Sequence, residues 1–322
     1  MSSPAVRRGI LDLRLNPVLA KEIRERVRSP RATAMIVVFL ALMSLLLYSS
    51  FALGMRSYQG SSYGFFTGPR LGRAMFETLM IVLLCIVGFI APAIAASSIV
   101  GEKERRTLHL LQVTLLKPRS IVLGKLGSSL AFIALMVVVT APLFSVPLVL
   151  GGVTVGQVLR GFFVLMCIAL VLSSMGIYMS SIARRQQVAI VATFLLVLIY
   201  SLGSTAAFAG ETYYWNLRFG SGPRPVSIAM YFNPMMAMAS AVATDSSAVL
   251  SPLSQILRSM LDVGQISSFY SSIGTPPLLS RTLGRVWLIH ALVALAFSAL
   301  LLFLASQRLR APSPRFTIGK KT

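Results

Sequence analysis

The hydrophobic positions of this chain lie in long blocks rather than in stripes. Apolar stretches almost free of charge cover about residues 32–53, 75–100, 128–150, 161–183, 187–209 and 286–306. About 20 such residues cross the hydrocarbon core of a bilayer as a helix, so each block predicts one span. Short polar connections separate them, apart from a long segment over 210–285. Within the six blocks the one ionised side chain is Glu77, close to the end of the second. So near a boundary, its carboxylate is expected to be wetted at the interface. Pro92 in the second block and Pro142 and Pro147 in the third predict kinks, which membrane helices tolerate where neighbours re-satisfy the freed carbonyls.

The polar segments carry patterns of their own. Asn16-Pro17 offers an N-cap followed by proline at the first helical position. Leu19, Ile23 and Val27 then recur every four residues, Lys21, Arg24, Glu25 and Arg28 take other faces, and Glu22 stands i,i+4 to Arg26. Ser29-Pro30 closes this stretch. A short basic amphipathic helix lying in the interface is expected, against the plainer reading of a basic flank to the first span. The stretch GEKERRTLHLLQVTLLKPRS, residues 101–120, packs five charges into Glu102 to Arg106. Gly101 is expected to release the second span there, and Leu108, Leu111 and Leu115 to form an apolar ridge that Pro118 ends. A helix with such a ridge can dock in a groove of another protein, or it is a solvated hairpin with ordinary flanking charges. In 210–285, Tyr213, Tyr214 and Trp215 suit an interfacial aromatic belt. Residues 225–244 and 263–280 are uncharged but broken by Asn233-Pro234 and Pro276-Pro277. They read as short helices or a re-entrant hairpin on the extracytoplasmic side; two full crossings instead would raise the count to eight.

Composition agrees with the blocks. Of 322 residues, 56% are hydrophobic and 12% charged, where soluble domains carry roughly a quarter charged. The net charge of +21 raises the question of nucleic acid. The charges flank apolar blocks and form no basic groove interleaved with aromatics, so the lipid bilayer is the expected partner and nucleic acid is not. Segments 1–31, 101–127, 184–186 and 307–322 hold 21 of the 30 lysines and arginines. That asymmetry places both termini in the cytoplasm. Cys85 and Cys167 each lie inside an apolar block and read as small hydrophobes. The polar, basic start before residue 32 does not read as a cleavable signal peptide.

Several chemistries lack their motifs. Gly124-Lys125 has no upstream glycine and is followed by Leu126, so it is no phosphate loop. The two histidines are His109 and His290. In the last span, His290 reads as polar glue between helices rather than a proton site, which would need a carboxylate nearby. No base faces the serines, as an intramembrane hydrolase would require. No cluster of intramembrane carboxylates exists to hold a coupling ion. Energy for any work is expected from outside the spans.

The 101–127 stretch resembles the cytoplasmic loop of ABC-2 type transporter permeases. There a Glu-rich turn, a Thr-Leu pair, a leucine run, a proline and a Gly-Lys follow one another, matched here by Glu102, Glu104, Thr107, Leu108, Leu111, Pro118, Gly124 and Lys125. NPVLAKEIR (16–24), SSMGIYMSSIARRQQVAI (173–190) and YFNPMMAM (231–238) resemble further family segments. The glycine usual before the Thr is Arg106 here, and the polar residue before the proline is Lys117.

The resemblance implies an all-α membrane protein of six transmembrane helices. An N-terminal interfacial helix (Asn16, Pro17, Lys21, Glu22, Arg24) precedes them within a cytoplasmic 1–31 region. The domain runs over 32–306, with an extracytoplasmic helical segment between spans five and six and a basic cytoplasmic tail, 307–322. It further implies two permease subunits, homo- or heterodimeric, in a cell inner membrane, with a separate ABC ATPase subunit that binds the ATP; no cofactor belongs to this chain, which is not itself an enzyme. Glu102, Glu104, Arg105, Arg106, Thr107, Leu108 and Leu111 take the role of docking that ATPase. The expected function is export, with apolar walls fitting a lipid-like, peptide or drug-like cargo. The alternative is a non-transporting scaffold that anchors a cytoplasmic ATPase.

Overall fold

In the computed structural model, residues 30–58, 67–105, 118–219, 228–242 and 277–309 are described. The interfacial-helix residues Asn16, Pro17, Lys21, Glu22 and Arg24 lie outside them, as do Arg106, Thr107, Leu108 and Leu111. The described residues form helices and connections, with no strand. The long helices are α1 (Pro30–Tyr58), α2 (Thr67–Glu104) and α3 (Pro118–Thr140). A 3-10 turn (Ala141–Phe144) and α4 (Ser145–Leu150) continue α3. Then come α5 (Val155–Ile182) and α6 (Gln186–Phe219), the short α7 (Ala229–Phe232) and α8 (Pro234–Val242), and α9 (Pro277–Arg308). Among the described residues, six stretches are long and apolar enough to cross a membrane: Ala32–Leu53, Gly68–Glu104, Arg119–Leu150, Val155–Ile182, Gln186–Trp215 and Val286–Arg308. The chain is an all-α, multi-pass membrane protein.

The spans are not equivalent. In α5, 67% of the most apolar window is buried within the subunit, against 11% in α1 and 17% in α6. So α5 is the axis of the bundle, packed on by α2, α3, α6, α8 and α9, while α1 and α6 turn most of their apolar surface outward. The core joins Phe76, Leu79, Met80 and Leu83 of α2 to Val164, Leu165, Ile168 and Met175 of α5. Gly176 lets the two backbones meet: a Cβ there would stand 2.7 Å from the Ala95 Cβ and 2.9 Å from the Pro92 oxygen. Small residues serve this purpose in membrane helices, where close packing replaces the hydrophobic drive available in water.

Helices run past the apolar blocks because the interface penalises polar side chains far less than the hydrocarbon does. Proline decides several boundaries. Pro118 and Pro277 open α3 and α9, where a missing N–H is no loss. Pro118 therefore starts a helix, the residues before it lying outside those described, and residues 277–280 belong to the last long helix rather than to a separate short one. Pro92 stays within an unbroken α2, whereas α3 gives way at Pro142 to a 3-10 turn. Gly101 does not release α2, which continues through Glu104. Before α5, Gly151 and Gly152 adopt φ of 85° and 78°. A Cβ on Gly152 would lie 2.1 Å from the Pro69 oxygen, so that turn is pressed against the start of α2. Thr154 and Gln157 then close a capping box over the first turn of α5.

Candidate functional site

Successive residues of a helix point about 100° apart, so three charges in a row reach three directions. At the end of α2, Glu102, Lys103 and Glu104 do this. Glu102 Oε1 accepts from Lys125 Nζ of α3 at 2.5 Å, and the lysine side chain is only 6% exposed. Lys103 Nζ donates to the carbonyls of Ser180, Ser181 and Ala183 at 3.2, 2.5 and 3.3 Å. Those are final carbonyls of α5, which lack partners along the helix and sit at its negative end. Glu104 Oε1 accepts the backbone N–H of Gln186 at 2.7 Å, placing an anion on the first residue of α6. One turn back, the Ser180 hydroxyl accepts from the N–H groups of Ile99 and Val100 at 3.1 and 2.9 Å.

This turn of α2 thus ties α3, α5 and α6 together. Glu102 and Glu104, expected to face a partner, are engaged within the subunit. Arg105, Arg184 and Arg185 are exposed beside them. Lys103, Ser180 and Gln186 carry the connection, and sequence reasoning did not single them out. The signal available was the alternation Glu-Lys-Glu at a helix end, followed far along the chain by a three-residue turn between two spans.

A second polar cluster occupies the opposite end of α2. Arg73 Nε donates to Glu77 Oε1 at 2.7 Å, and Arg73 Nη2 donates to the carbonyl of Val242, the last residue of α8, at 2.7 Å. Glu77 is 3% exposed, so it is buried rather than wetted as the sequence led one to expect. The pair α7–α8 is what packs over this end of the bundle. Asn233 stands between the two short helices: its Oδ1 accepts from the N–H groups of Met235 and Met236, capping α8, and its Nδ2 donates to Thr205 Oγ1 of α6 at 2.7 Å. Ser240 Oγ accepts from the Trp287 N–H at 3.0 Å. His290 Nδ1 lies 2.9 Å from the backbone carbonyl oxygen of Tyr231, which only accepts, so Nδ1 carries the proton. His290 joins α9 to α7, as polar glue does.

The sequence model for ABC-2 family transporter proteins matches residues 16–307, which take in five spans, all but the last residue of the sixth, and both polar clusters. The chain belongs to the ABC-2 transporter family. No curated protein matches the chain. It is therefore a membrane transport component of the permease kind rather than a catalytic subunit. In this ABC-2 permease the Glu102–Lys103–Glu104 turn stands where the chain leaves the second span, at the head of the segment leading to the third.

Proposed function

We propose that this chain is the membrane-spanning subunit of an ATP-driven exporter. Two copies, or this chain and a related one, assemble in a bacterial-type inner membrane with a separate ABC ATPase. Both termini face the cytoplasm, as does the end of α2 that carries Glu102 to Arg105. ATP is bound and hydrolysed on the ATPase, and no cofactor is held by this chain. The loop over 101–111 docks that subunit: Leu108 and Leu111 provide apolar contact, with Arg105, Arg106 and Thr107 around them. Glu102 and Glu104 hold the base of the loop to α3 and α6. The observation that carries this reading is the fan of hydrogen bonds from one helical turn to three spans. A push on such a turn reaches α2, α3, α5 and α6 together, which is what an external ATPase needs in order to move a permease.

The test is affinity capture of the solubilised chain from its own membranes, with mass spectrometry of what accompanies it. An ATPase subunit should be recovered with the unaltered chain and lost with Leu108→Asp/Leu111→Asp. Recovery of the chain alone, with nucleotide present, would overturn the reading. An ATPase whose turnover ignores every cargo, in an otherwise intact complex, would favour the scaffold.

A further inference from the structure

Four polar interactions among the described residues help seat the α7–α8 pair against three spans. Those of Asn233 with Thr205, Tyr231 with His290 and Ser240 with Trp287 join neutral groups. Such hydrogen bonds contribute about 1 kcal/mol each. The fourth, from Arg73 to the Val242 carbonyl, is charge-assisted and of the stronger kind. It grips the last residue of α8, at the negative end of that helix. The same guanidinium is held by Glu77, and both side chains are largely buried, at 14% and 3% exposure.

Glu77 Oε2 has no hydrogen-bond partner among the described residues. Glu77 therefore holds Arg73 through its other oxygen, Oε1. The Arg73–Val242 bond favours the seated arrangement. A charge-assisted bond at one point, beside bonds between neutral groups, makes a catch that can be released. The underside fits that role: Met236, Ala237, Met238 and Ala241 are methionines and alanines, adaptable or small, rather than interlocking aromatics.

We propose that Arg73 and Glu77 are positioning residues for transport. Arg73 latches α7–α8 over the end of the bundle formed by α2, α5 and α9, and release of the Val242 carbonyl opens that end for cargo to leave. The proposal goes beyond the permease reading but rests on its orientation, which puts Arg73 on the outer side.

The experiment places a reporter thiol at Ser240→Cys, on the covered face of α8, with Cys85→Ser and Cys167→Ser. The full chain in sealed vesicles meets a membrane-impermeant maleimide on each side in turn. From the outer side, Arg73→Gln should label at least about tenfold faster than its parent, since it loses the charge-assisted bond to Val242 together with the pairing to Glu77. Arg73→Lys, which keeps the cation, should lie between them and supplies the ordering if Arg73→Gln does not accumulate. A thiol at Ser174→Cys, deep in α5, should stay unreactive throughout. Equal rates in the parent and both Arg73 variants would overturn the latch, and so would equal acceleration at position 174, which would mean global loosening. Labelling only from the side of Lys103 would overturn the exit role through its orientation. If Arg73→Gln opens the site while ATP leaves the parent unchanged in the complex with its ATPase, the latch stands and the ATP-driven reading falls.

Discussion

Gly176 and Gly203 are both helical glycines in apolar spans, yet their surroundings differ completely. A Cβ at Gly176 would press on Ala95 and on the backbone of Pro92 and Ala96, within 2.9 Å of each. A Cβ at Gly203 would meet nothing within 4 Å. Gly176→Ala should therefore push α2 from α5 and lower stability by about 1–3 kcal/mol. Gly203→Ala should be neutral or slightly stabilising, and thermal unfolding of the two variants in one detergent compares them directly. Equal melting temperatures would contradict the packing described for Gly176. Composition alone does not separate these glycines, since the difference lies in what stands opposite. The same holds for Glu77, whose place near the end of an apolar block says wetted, while the folded bundle buries it beside Arg73. Lys103 was likewise invisible: a lysine just past a span reads the same whether it points to water or caps a helix.

At the scale of elements, blocks of apolar residues were enough to read six membrane helices, because length and hydrophobicity decide that question almost alone. They were less informative about where helices begin. The first turns of α5 contain Gln157 and Arg160 and belong to no apolar block, yet the Thr154–Gln157 box holds them helical. That T-x-x-Q spacing stands in the sequence directly after Gly151-Gly152 and Val153. Asn233-Pro234 was legible as a break, but its role is constructive, since Asn233 caps α8 and Pro234 takes the first helical position. Asn233→Ala should remove the cap and leave the Thr205 hydroxyl without this donor, at a cost of about 1–2 kcal/mol. The same reporter thiol at Ser240→Cys should label faster in this variant, by less than with Arg73→Gln, because the Asn233–Thr205 hydrogen bond joins neutral groups. A greater effect than that of Arg73→Gln would mean that capping, not the ion pair, seats α8.

Across the whole molecule, α2 joins the two polar clusters, as α6 does through Gln186 and Thr205. It spans 38 residues, far more than the hydrocarbon requires, and carries Arg73 and Glu77 near one end and Glu102 to Glu104 at the other. Between them it packs closely along α5. The sequence located the charged turn and its resemblance to a docking loop. It did not reveal that the turn's carboxylates are engaged inside the subunit, because the partners, Lys125 and the N–H of Gln186, come from other helices. The structure therefore sets the carboxylates, which bond inside the subunit, apart from the exposed Arg105. Glu102→Gln with Glu104→Gln leaves the nearly buried Lys125 without its carboxylate and should lower stability by about 1–3 kcal/mol, discounted for the part-exposed Glu102. Arg105→Glu alters an exposed side chain and should change stability by no more than about 0.5 kcal/mol, yet should reduce ATPase capture. Melting and capture measured on the same preparations decide the assignment. If Arg105→Glu captures the ATPase as well as its parent while the glutamine pair loses both stability and capture, the turn acts on the ATPase only by shaping the loop that follows it, and docking falls to the residues from Arg106 to Leu111.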